Sequence, residues 1–176
     1  MFSCPPKTFG FSLVEVILAV GIFALAVTAM LALLPSLARQ SAQSADSLVA
    51  LRLPDAVRIE LQRVATVGGF DALAAETKPM TAPLPATLTL AASRDAARVQ
   101  TKNYLPPPVT DQVGDEEQYF LIEAWSFNAA PLAFDASGTL LALHVRVSWP
   151  YRIPGSVTAT PLADREQLAF NLALSR

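Results

Sequence analysis

The sequence predicts an α+β protein, a long N-terminal helix followed by a small antiparallel β-sheet. Three observations carry that expectation. Val16 to Ala38 runs without one Asp, Glu, Lys or Arg. Beyond it, apolar residues keep a helical spacing, and toward the C-terminus they change to a period of two. A helix needs about 20 residues to cross a hydrocarbon core of about 30 Å, and the uncharged run meets that length. Residues 11–38 are therefore read as a transmembrane helix.

Leu48, Leu51, Val57, Leu61 and Val64 are spaced mostly by three or four, so the helix is expected to continue over 39–69. From Phe11 to about Val67 it would span roughly 85 Å. Pro35 and Pro54 each lack a backbone donor and are predicted kinks or breaks. Gly68-Gly69 ends the helix, because glycine tolerates positive φ.

Residues 70–176 are read as a β-rich domain. Proline-containing stretches at 77–88 and 101–118 are connections. In 139–149, Leu141, Leu143, Val145, Val147 and Trp149 take one face and His144, Arg146 and Ser148 the other. Gln118 to Phe127 is a second strand, and Gln167 to Leu174 a third, with Leu168, Phe170, Leu172 and Leu174 on one side. Thr87 to Ala92 is a weaker fourth. Such strands after a helical spine give a sheet packed on the helix.

Composition narrows the function. Of 176 residues, 52% are hydrophobic and 16% charged, too apolar for disorder. Thirteen Lys and Arg against fifteen Asp and Glu leave no basic excess to neutralise phosphates, which disfavours nucleic acid as a ligand. One His and one Cys are too few for most metal or nucleophile constellations, and no phosphate loop or nucleophile elbow is present. His144 reads as an ordinary strand residue, and Trp125 and Trp149 as core packing.

The N-terminus carries the specific signal. Glu15 is a carboxylate just inside an otherwise uncharged segment, where it costs a few kcal/mol and calls for a partner. The stretch Lys7-Thr8-Phe9-Gly10-Phe11-Ser12-Leu13-Val14-Glu15-Val16 resembles the processing motif of type IV pilins and type II secretion pseudopilins. The wording from Phe11 to Val16, followed by Ile22-Phe23-Ala24, is similar to minor components of the I or V type. The resemblance implies a lollipop-shaped pilin fold and no enzyme activity. It also implies a leader over 1–10, cut between Gly10 and Phe11 by a prepilin peptidase that then methylates the new amine of Phe11. The partners implied are that peptidase, other pilin or pseudopilin subunits and an inner-membrane assembly platform.

In assembly, Glu15 of one subunit would pair with the terminal amine of its neighbour, so that neither charge is left unmatched. Ala19, Gly21, Ala24 and Ala26 offer close packing between helices. Lys7 before the span predicts a cytoplasmic N-terminus in the inner membrane and a periplasmic head, later carried into a filament. With Cys4 in the leader, the mature chain has no cysteine and no disulfide, unlike pilins that staple a C-terminal loop.

Asp111, Asp115, Glu116 and Glu117 supply oxygen ligands of the kind calcium takes, and a few pseudopilins bind calcium in a loop. Their spacing is not that of an EF-hand, so the run reads first as a solvated loop, and no cofactor is expected. An alternative from another class is a membrane-anchored extracytoplasmic binding module or enzyme with an uncleaved anchor. It predicts an uncut N-terminus and tolerance of Glu15→Ala.

Overall fold

The computed structural model describes residues 12–79, 86, 88–102, 113–135, 137–156 and 158–176. They fall into two units, one ending at Ala45 and the other running from Asp46 to Arg176. The first unit is most of helix α1, Leu13–Ala50. Every residue of α1 up to Ala45 is exposed, so Leu, Val, Ile and Phe side chains point outward all around. One helix near the N-terminus is thus long and apolar enough to cross a membrane.

The hydroxyls in and beyond this apolar stretch are satisfied locally. Thr28 Oγ1 donates to the Ala24 carbonyl at 2.8 Å, and Ser36 Oγ to that of Leu33 at 2.7 Å. Of the kink or break expected at Pro35, the break does not occur, and α1 remains one helix through it. An internal proline removes a single donor from the ladder, which the helix-forming leucines around it outweigh.

The second unit begins inside α1, where Asp46 and Ala50 become buried. The break expected near Pro54 is present. Leu51 and Arg52 form a turn, with Arg52 N–H donating to Val49 O at 2.9 Å. Helix α2, Leu53–Gly68, then starts with Pro54 in its first turn, where the missing donor costs nothing. Its buried stripe is Leu53, Val57, Leu61 and Val64. Gly69 at φ 92° ends it as expected, but a further short helix, α3 (Phe70–Glu76), follows immediately.

Five strands form one antiparallel sheet: β1 (Leu88–Ala92), β2 (Val99–Thr101), β3 (Phe120–Ser126), β4 (Leu140–Trp149) and β5 (Glu166–Ser175). Their order is β2-β1-β3-β4-β5. The four expected strands are all present, and β2 is an addition. Leu90, Ile122, Val147 and Leu168 stand in one row across the sheet, so that face collects the alternating apolar residues beneath α2 and α3. Trp149 lies in this core and packs on Phe120 at 5.8 Å between ring centroids.

The opposite face is more polar; it is buried or half-buried over β3 and β4 and exposed over β5. Glu123 accepts from Arg146 Nε at 3.0 Å and Nη2 at 2.7 Å, and that guanidinium lies 5.0 Å from the Trp125 ring. Arg165 donates to the Thr160 carbonyl and to Ser148 Oγ, and burial lowers its pKa. The Tyr151 ring is flanked by Lys102, Arg152 and Arg165. Trp125 is buried here, outside the main core.

Candidate functional site

Three places merit comparison: the apolar helix with its carboxylate, the acidic loop, and a buried polar cluster where the second unit begins. In the first, Glu15 is exposed in the first turn of α1. The Ser12 carbonyl accepts from the N–H groups of Glu15 and Val16 at 3.0 and 3.2 Å, which places Ser12 at the helix start. Ser12 and Glu15 therefore occupy the N-cap and N3 positions of a capping-box pattern, and a negative charge there also suits the helix dipole. Nothing lies within 4 Å of a side chain built at Gly21, so the backbone there is open to close approach. Ala19, Ala24 and Ala26 are likewise exposed. Gly10 and Phe11 lie outside the described residues.

The acidic loop does not converge on a shared centre. Asp115 to Glu117 form a short 3-10 turn. Asp115 pairs with Arg152 Nη1 at 3.0 Å and accepts from Gln118 Nε2 at 2.9 Å. Glu117 pairs with Arg98 at 2.7 Å. Glu116 is exposed, and Asp111 lies outside the described residues. Among the described residues, no three His, Cys, Asp or Glu side chains group as metal ligands. An open groove of about 400 Å³ beside this turn is lined by both signs of charge, including Arg94, Asp95, Arg98, Glu116 and Arg152.

The third place escaped the sequence reading. Asp46, 8% exposed, receives Arg94 in two contacts, Nε to Oδ1 at 3.0 Å and Nη2 to Oδ2 at 3.2 Å. Tyr119 Oη donates to the same Oδ2 at 2.6 Å, and the Arg94 guanidinium lies 5.0 Å from the Tyr119 ring. A buried carboxylate is tolerable when charge-assisted donors satisfy it, as they do here. The cluster ties the last turns of α1 to the ends of β1 and β3.

Burial, and then the bond to Asp46, push the Tyr119 phenol up from 10.0 to about 12. The folded state thus favours the protonated phenol. Its contribution to stability is complete below pH 10 and is lost as pH rises through about 12. Urea unfolding of the parent and of Tyr119→Phe across this window should show a steeper decline in the parent. Parallel declines would mean that Tyr119 is not the group responsible.

His144 Nδ1 lies 3.0 Å from Asn171 Oδ1 across β4 and β5. That contact orients the ring but supplies neither a nucleophile nor a base relay. Comparisons with protein-family models, curated proteins and solved structures find no match for this chain.

Proposed function

We propose that the chain is a minor pilin or pseudopilin, a structural subunit built into a type II secretion pseudopilus or a type IV-like filament. The observation that supports this most is the stretch of α1 up to Ala38, apolar on nearly every side, with a single carboxylate, Glu15, in its first turn. Such a helix needs a lipid or helical environment, and its acid needs a cationic partner. The motif from Lys7 to Val16 supplies that partner, since a cut after Gly10 creates an amine on Phe11 of each subunit.

In this reading a prepilin peptidase removes residues 1–10 and methylates Phe11 on the cytoplasmic side of the inner membrane. The C-terminal unit lies in the periplasm. An assembly platform then moves the subunit into the filament, with Glu15 of one copy on the terminal amine of the next. Apolar surface alone gives little drive for association within lipid, so packing at Ala19, Gly21, Ala24 and Ala26 contributes close contact.

The test is mass spectrometry of the intact protein and its N-terminal peptide, with and without co-expressed prepilin peptidase. The expected result is a peptidase-dependent loss of residues 1–10 and a gain of one methyl group on Phe11. An unprocessed Met1 terminus on an exported protein would overturn the proposal in favour of a permanently anchored module.

A further inference from the structure

Among the described residues, β5 is an edge strand of the sheet. Arg176 N–H donates to Thr139 O at 2.8 Å, one step beyond the Leu140–Ser175 pair that ends the β4–β5 ladder. In an antiparallel ladder the direction of the backbone groups alternates. The even-numbered residues of β5 therefore bond to β4, while Gln167, Ala169, Asn171, Ala173 and Ser175 turn their N–H and C=O groups away from it. All five are exposed, and among the described residues no strand pairs with this edge. Edges are commonly protected by short length, proline or lysine. The opposite edge, β2, is three residues long, whereas β5 has ten and contains neither proline nor lysine.

We propose that this edge binds the same edge of a second copy, antiparallel, about a two-fold axis at Asn171. With the axis at a residue, outward-turned residues face outward-turned residues, and at Asn171 the central pair is itself an outward-turned, hydrogen-bonded pair. At Asn171, Ala169 faces Ala173 of the second copy and Gln167 faces Ser175. On the core side Phe170 faces Leu172, and Leu168 faces Leu174. At both ends Glu166 meets Arg176 of the second copy.

Moving the axis to Phe170 sets Glu166 against Leu174, and moving it to Leu172 sets Arg176 against Leu168; at Ala169 or Ala173 the overlap also shortens. Arg176 already pairs with Asp71, but a guanidinium has five donors and can serve both carboxylates. Leu168, Phe170 and Leu172 are only half-buried within one chain, and the second copy covers what remains exposed. This association uses the C-terminal unit alone, so it stands or falls separately from the filament reading.

The test is disulfide mapping on the full chain in detergent, with Cys4→Ser as background. Facing Cα atoms in a hydrogen-bonded pair lie about 5.5 Å apart, within disulfide range. Asn171→Cys should cross-link to itself severalfold more than Glu116→Cys on its exposed turn. Ala169→Cys and Ala173→Cys should cross-link when mixed but poorly alone. Glu166→Arg should weaken dimerisation about tenfold in sedimentation, and Glu166→Arg with Arg176→Glu should restore it. A monomer at all concentrations, cross-linking at 171 no greater than at 116, or self-linking at 169 or 173 as strong as at 171 would each overturn the proposal.

Discussion

Glu15→Ala is expected to leave processing at Gly10 intact while reducing the assembled fraction of the protein to background. An exposed carboxylate in the first turn contributes little to the isolated chain beyond capping and the helix dipole. Its weight in the proposed filament comes from the neighbour's amine. An intact buried pair is nearly neutral overall, but removing one member costs about 3–5 kcal/mol because the other charge stays desolvated. With 1.4 kcal/mol per tenfold, that is at least a hundredfold in subunit association. The comparison to make is subunit content in sheared filaments against the membrane fraction, with N-terminal peptide mass measured on the same samples. Normal incorporation of the alanine chain would remove Glu15 from assembly.

The second large effect is expected at Leu61. It is fully buried in the middle of α2, on the stripe facing the sheet. Truncation to alanine removes buried methyl groups and leaves a cavity that rigid strands fill only in part, at a cost of about 3 kcal/mol. For a domain of this size that lowers the melting temperature by roughly 10 °C. Ile59 on the same helix is 67% exposed, and Ile59→Ala should change stability by less than about 0.5 kcal/mol. Calorimetry of the two variants checks which face of α2 meets the sheet. Equal losses would contradict the assigned face.

The strands that were legible in the sequence are those with one buried and one polar face. In β4 from Leu141 onward the odd positions are apolar and the even ones polar or small, and the register with β3 and β5 preserves that alternation. Strand β2 escaped because Val99-Gln100-Thr101 is too short to display a period, and α3 because seven residues hold under two helical turns. Pro54 was readable as a break because the chain turns there, whereas Pro35 lies in a stretch whose helix propensity outweighs one lost bond. The Asp46 cluster was beyond sequence reasoning altogether. Arg94 and Tyr119 stand 48 and 73 residues from Asp46, and nothing local marks them as its partners. Among the candidate site residues the opposite holds. Gly10, Phe11 and Glu15 carry their meaning in adjacent sequence, while Asp115 and Glu117 lost their appeal as ligands only when their arginine partners were seen.

The polar far face of the sheet also bears on how the chain avoids errors. Strand partners can be misaligned by one position early in folding, and such a slip turns every side chain to the wrong side. Here a slip of β3 against β4 would carry Glu123 beneath α2, away from Arg146, and turn Phe120 and Ile122 into the far layer, beside Arg165 and Ser148. Such a misaligned sheet has neither a wholly apolar interior nor matched charges, so it is less stable than the aligned one. Glu123 and Arg146, joined at 2.7 Å in the aligned sheet, thus favour the correct register over its neighbours.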